Sequence, residues 1–185
     1  MILPLFRRGT RPDTISALYG TIVTQARLPC FYQDYSVPDT VNGRFDVIVL
    51  HLTLVLDRLA ADPALRHFGQ ALFDLFCADM DHNLREMGVG DLAVPKKMRA
   101  FGEAFYGRAA AYREALAGEK AQALVLALQR NVYGGIDAGA APARLAAYMR
   151  RAAGDLAVQD SAALRAGNLR FPDPAAVEMP SLTET

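Results

Sequence analysis

The sequence predicts an all-α fold, a single compact bundle of about six or seven helices, and three observations carry that reading. Apolar residues recur at steps of three or four along most of the chain. Glycine and proline fall between these periodic segments, at positions where helices stop and start. The longest apolar run, Phe45 to Leu56, exceeds strand length and contains no turn signal. With 185 residues and 52% hydrophobic content the chain can bury a core, which excludes disordered, collagen-like and disulfide-stapled classes.

The helices follow in order. Asp13-Thr14 is a cap before Ile15, Leu18, Ile22 and Ala26, so a helix is expected over 14–27, ended by Pro29. Residues 29–40 carry Phe31, Tyr32 and Tyr35 and read as an ordered connection to a cap at Asp39 or Thr40. The segment 43–61 is apolar almost all round and therefore has to be enclosed by other helices. Asp62-Pro63 reads as an N-cap with proline at the first helical position, opening a helix over 63–87 that stops at Gly88 and Gly90. Pro95 opens the next, to Gly118. Helices at 119–132, 142–153 and 160–166 complete the bundle, with Gly134-Gly135 breaking the first of these. The organisation read from this is a basic segment 1–12, a helical domain 13–166 and a proline-containing tail 167–185, extended or docked late.

Charge excludes some functions. Twenty basic residues balance twenty acidic ones, so no general excess exists to drive binding along DNA. The distribution is uneven: Arg7, Arg8, Arg11 and Arg27 face one acid in residues 1–33, whereas residues 34–94 hold ten acids against four arginines. A surface of mixed charge suits a protein partner better than a polyanion. The run Phe45 to Leu56 contains Asp46, His51 and Thr53 and falls short of the roughly 20 apolar residues of a membrane span. Met1 to Arg8 places its apolar residues before its arginines, the reverse of a signal peptide, and the expectation is a cytoplasmic chain. Cys30 and Cys77 fit no metal or redox spacing and read as buried small hydrophobes in a reducing compartment.

Chemical motifs are sparse. Asp74, Asp79, Asp81, His82 and Glu86 share one helix, but a magnesium or di-iron site needs ligands from a second element, and the sequence offers none of comparable density. Neutral His51, hydrogen-bonded to a neighbouring helix, is the expected state of a histidine alone in an apolar helix. No nucleophile signature, phosphate loop or dinucleotide fingerprint occurs. The expectation is no catalytic residue, no metal and no cofactor. What remains prominent is interface material: Phe31, Tyr32, Tyr35, Tyr106 and Tyr112, and the cationic helix start Lys96, Lys97 and Arg99, set against the macrodipole.

Two stretches carry a resemblance. LYGTIVTQARLPCFYQDYSVPDTVNGRFDVIVLHLTLVL, from Leu18 to Leu56, and LFDLFCADMDHNLREMGVGDLAVPKKMRAFGEAFYGRAAAY, from Leu72 to Tyr112, resemble the ubiquinol-cytochrome c chaperone family. GRFD, DLF-x-x-DMD, REMGVGD and AFYGR are specific in combination, and the part after Gly118 matches no quotable motif. The resemblance implies a non-catalytic, all-helical assembly chaperone that receives newly made cytochrome b during biogenesis of the cytochrome bc complex. It places emphasis on Tyr19, Arg27, Asp39, Gly43, Arg44, Asp46 and His51, and then on the acidic helix and its sequel. Client contact is expected from Tyr32, Asp79, Asp81, Lys96, Lys97, Tyr106 and Arg108, with an acidic face beside an aromatic groove around Tyr32 and Tyr106. Arg7, Arg8 and Arg11 are expected to face a ribosome or the inner-membrane surface, where the chain would be peripheral. Arg44 is expected to form a buried pair with Asp46 or Asp39 at the helix entry. The alternative is a small helical enzyme or a haem or metal carrier using Asp74 to His82 and His51.

Overall fold

The computed structural model describes residues 12–118 and 120–177. Eight α-helices and one 3-10 turn account for its regular structure, with no strand among the described residues: α1 Pro12–Ala26, α2 Cys30–Gln33, α3 Val41–Ala61, α4 Arg66–Glu86, α5 Val94–Ala117, α6 Ala121–Asn131, α7 Ala141–Ala157, α8 Ser161–Arg165, and the turn Pro174–Ala176.

α3 is the axis of the molecule, as its apolar circumference requires. Every residue from Asp46 to Val55 is buried, and α1, α4, α5 and α7 all pack on it. Its start is fixed twice. The Thr40 side chain accepts the Gly43 N–H at 3.1 Å, and Gly43 lies so close to the preceding loop that a Cβ there would come within 1.9 Å of the Pro38 carbonyl oxygen. Only glycine permits that approach. α4 ends at Gly88 in the left-handed region, φ 79°, while the Val89 N–H bonds to the Leu84 carbonyl and closes the last turn.

Several boundaries differ from expectation for local reasons. α1 is already helical at Pro12, so Asp13 sits in its first turn rather than before it. The connection 29–40 contains a one-turn helix, α2, whose Phe31 is fully buried. Asp62 does not cap α4 directly. Its Oδ1 accepts the Ala64 N–H and its Oδ2 the Ser161 hydroxyl, forming a separate turn, and α4 begins three residues after Pro63. α7 continues past Gly154 to Ala157 because Leu156 is buried against the bundle. Cys30 and Cys77 are half-buried free thiols rather than core residues, and burial raises both pKa values.

Residues 168–177 are docked on the bundle. Gln159 both accepts from the Arg170 N–H and donates to the Arg170 carbonyl. The Tyr35 hydroxyl donates to the Pro174 carbonyl at 2.6 Å, and the Phe171 ring lies edge-on to His51 with centroids 4.9 Å apart.

Candidate functional site

A concavity of about 620 Å³ opens between the start of α3, the N-terminal half of α5 and the end of α6 with its following loop. Phe45, Phe101, Ala104, Val132 and Ile136 give it apolar walls, and Lys97 stands on its lining. The floor is polar. Asp46, from α3, is nearly sealed at 5% exposure, and Nη2 of Arg108, from α5, approaches its Oδ1 at 2.9 Å. The guanidinium thus both attracts the carboxylate and bonds it, while Arg108 Nε is left without a partner. Asn131 Nδ2, at the end of α6, and the Tyr112 hydroxyl are buried behind it and face one another. Burial pushes the Asp46 carboxyl up to about 6, with Arg108 pulling against the rise, and burial likewise raises the Tyr112 hydroxyl. The Asp46–Arg108 pair with Asn131 and Tyr112 behind it makes this polar floor unlike the apolar core around it.

An aromatic strip runs from this groove across α4 and α5. Phe45 contacts Phe101 and Phe76, Phe76 contacts Phe73 and Phe105, and both of these reach Tyr106, which is exposed. A second, smaller cleft sits at its far end, lined by Leu56, Phe73, Phe105, Tyr106 and Arg113.

The residues expected to meet a client are distributed rather than gathered. Arg108 and Lys97 line the groove, Lys96 is exposed beside it, and Tyr106 lies on the strip. Tyr32 is elsewhere, in a cleft with Arg27, Pro29 and Arg44, its hydroxyl donating to the Ala26 carbonyl at 2.8 Å. The groove expected around Tyr32 and Tyr106 together is thus two separate clefts. Asp79 accepts the Tyr19 hydroxyl at 2.7 Å and ties α4 to α1. Asp81 pairs with Arg85, which also reaches Asp91, and this pairing draws the Asp81 carboxyl below its usual range. Asp74 accepts from Gln70, and His82 pairs with Glu86. The acidic helix therefore spends its side chains on different neighbours, and no group of three potential metal ligands occurs among the described residues. Arg7, Arg8 and Arg11 lie outside the described residues.

The expected pairing at the α3 entry divides in two. Arg44 does bond Asp39 at 2.7 Å, but both are more than half exposed. Asp46 takes Arg108 instead, because a carboxylate inside an apolar helix needs a partner from a packed neighbour. Asn131 and Tyr112 were legible only as an α6 terminus and an α5 core position. The signals in the sequence pointing here were an aspartate in an otherwise apolar run and the expected contacts Lys97 and Arg108.

His51 is a scaffold group. It is fully buried, Nδ1 donates to the Val47 carbonyl at 2.8 Å, and Nε2 accepts from the Tyr148 hydroxyl at 2.7 Å. The Tyr148 oxygen in turn accepts from Gln25 at 3.0 Å. Both ring nitrogens are occupied, and burial depresses the imidazole to about 4, so it is neutral at physiological pH.

With the fold and groove in view, comparison with known proteins is decisive. The family described as Ubiquinol-cytochrome C chaperone matches residues 33–171. The chain belongs to that family. A crystal structure of the Cbp3 homolog from Brucella abortus superposes with a TM-score of 0.86 at 39% identity, covering 96% of this chain and all of that one. Ubiquinol-cytochrome-c reductase complex assembly factor 1 of Xenopus laevis is 27% identical over 116 residues, 62% of this chain and 58% of that protein. The chain thus spans little more than half the length of that curated relative. The match from 33 to 171 takes in the whole groove and extends the family resemblance past Gly118, through α6 and α7, where the sequence showed no quotable motif. No helix among the described residues is long and apolar enough to cross a membrane.

Proposed function

We propose that this chain is a non-catalytic assembly chaperone that holds newly made cytochrome b during construction of the ubiquinol-cytochrome c reductase complex. Membership of the chaperone family supports the class of activity. The observation that carries the binding role is the apolar-walled groove between α3, α5 and α6, continued by the aromatic strip to Tyr106. Such a surface suits apolar segments awaiting assembly, since aromatic rings bury large area at little entropic cost.

Charge supports the same reading. Cytoplasmic loops of membrane proteins are rich in Lys and Arg, and Asp74, Asp79, Asp81 and Glu86 give α4 a negative bias that would attract them. Lys96, Lys97 and the basic start with Arg7, Arg8 and Arg11 would face anionic lipid or a ribosome, each near-surface charge adding about 1 kcal/mol at an anionic membrane. The chain would then work at the inner-membrane surface from the cytoplasmic side.

Affinity capture of the tagged full chain from membrane-respiring cells tests the proposal, with co-purified proteins identified by mass spectrometry. Cytochrome b should be enriched. The double change Asp79→Asn with Asp81→Asn should keep the melting temperature, since asparagine still offers Tyr19 an acceptor, while capturing less cytochrome b, and high salt should weaken capture further. Absence of cytochrome b from the parent capture would overturn the function. Undiminished capture by the double variant would remove the acidic face from it.

A further inference from the structure

We propose that the corner between α4 and α5 anchors the chain on an anionic bilayer, with Leu92 and Met87 entering the lipid interface and Lys96, Lys97 and Arg99 meeting the phosphates. This deepens the membrane-facing part of the function proposed above and rests on it, committing the two lysines to lipid. Leu92 is 99% exposed and Met87 57%, and both lie in the connection 87–93. A single exposed leucine needs no explanation. Here, however, the connection that presents it is built rather than slack. The Val89 N–H closes on the Leu84 carbonyl and the Ala93 N–H on the Gly90 carbonyl, so Leu92 is the third residue of a hydrogen-bonded turn. Arg85 holds Asp91 while also pairing with Asp81, which ties the turn back to α4.

Charge falls on the same corner. Lys96, Lys97 and Arg99 are all exposed and form no ion pair among the described residues. The acids beside them are engaged, Asp81 and Asp91 with Arg85 and Glu86 with His82. No acid in the first turn of α5 offsets these cations, and they stand against its macrodipole. Anionic lipid answers them, each near-surface cation adding about fivefold in affinity. An RNA surface would answer the charge but has no use for an aliphatic tip, because RNA is held by phosphate contacts and by bases stacked on aromatic rings. No Phe, Tyr or Trp lies between Asp81 and Ala100. A bilayer interface takes both the apolar tip and the cations. Lys97 also lines the α3–α5–α6 groove, so anchoring places that groove beside the bilayer an apolar client segment has to enter.

The chain contains no tryptophan, so Leu92→Trp in the full chain is a single fluorescent reporter. Vesicles of phosphatidylcholine mixed with phosphatidylglycerol should shift its emission to the blue, and vesicles of phosphatidylcholine alone should not. Val158→Trp should stay unshifted, since Val158 is exposed at the far end of the bundle, where the Leu156 carbonyl accepts from Arg58 near the end of α3. In cosedimentation with the mixed vesicles, Lys96→Gln with Lys97→Gln should weaken binding about thirtyfold for the two charges lost. Leu92→Ser should weaken it about tenfold. Melting temperatures should be kept, because all three side chains stand in water. A silent Leu92→Trp reporter, an equal shift at Val158, or undiminished vesicle binding by either variant would overturn the anchor. So would cosedimentation with ribosomes that the lysine change abolishes while vesicles are not bound, which would give the corner to RNA. Cytochrome b captured by a chain that binds no vesicles would overturn the anchor and leave the chaperone reading standing. Vesicle binding with the blue shift but no capture would support the anchor and strike the chaperone reading, because the vesicles contain no client.

Discussion

Asp46 and His51 are both buried on α3, five residues apart, and they are treated in opposite ways. Around His51 every polar atom is answered: Val47, Tyr148 and Gln25 close a chain of hydrogen bonds, and Phe31 and Phe171 pack edge-on against the ring. Around Asp46 the charge is opposed by Arg108 at the floor of an open groove, and Arg108 Nε is left without a partner. An unmade buried hydrogen bond costs about 1–3 kcal/mol. The chain therefore tolerates at its groove a cost that it eliminates a turn and a half further along the same helix. Polar burial of the first kind fixes how helices sit, whereas the second kind lies at the floor of an open groove.

If the His51 cluster is the scaffold, breaking its packing should have the largest effect. Phe31 is fully buried and meets Tyr35, His51 and Tyr148 at ring-centroid distances of 5.4, 5.3 and 5.0 Å. Phe31→Ala should cost about 3–5 kcal/mol of unfolding free energy in urea titrations. A loss below about 1 kcal/mol would mean that the cluster collapses around the gap and does not define the bundle.

These two clusters were not equally legible in the sequence. His51 announced its role because a histidine alone in an enclosed helix has few options, and the helix itself followed from its apolar circumference. The Pro and Gly punctuation located every major helix to within a few residues. One boundary moved through a long-range bond, where Ser161 engages Asp62 at the turn ahead of α4. The groove was hidden for the same reason. Asp46 and Arg108 are separated by 62 positions, and Asn131 lies a further 23 along, so no local spacing relates them. The acidic residues of α4 were prominent in sequence, yet Asp79 and Asp81 turn to partners on their own molecule. Local charge density says little about which carboxylate will be free.

The acid response should separate the clusters by sign. The His51 pKa lies below its ordinary value, so its contribution to stability is full above pH 6.5 and is lost as pH falls towards 4, about 3 kcal/mol over the window. The Asp46 pKa lies above its ordinary value, so the opposite holds: its contribution is full below pH 3.8 and is lost as pH rises through 6. In the parent the two partly cancel between pH 6 and 4. Asp46→Asn should therefore steepen the acid loss in urea midpoints measured across that range. A variant curve parallel to that of the parent would show that Asp46 does not titrate in this range.

His51→Ala removes one of the opposing groups and should be felt in two ways. At neutral pH it leaves the Tyr148 hydroxyl without an acceptor and opens a gap beside Phe31, costing about 1–3 kcal/mol. It should also flatten the loss of stability between pH 6.5 and 4. A drop in melting temperature with an unchanged acid limb would assign that limb to another group.

The smallest effect on stability is expected at the groove floor, and its smallness is the point. Asn131 Nδ2 meets only the Tyr112 hydroxyl, so Asn131→Leu removes one neutral polar contact and adds apolar surface to a site already walled by Val132 and Phe101. Exchanging one neutral polar contact for apolar packing of similar shape costs about 0.5–1 kcal/mol. Thermal melts of parent and variant should nearly superimpose. A loss of more than about 1 kcal/mol would show that Asn131 is bonded as closely as the groups around His51, and the contrast between a closed cluster and an open one along α3 would then disappear.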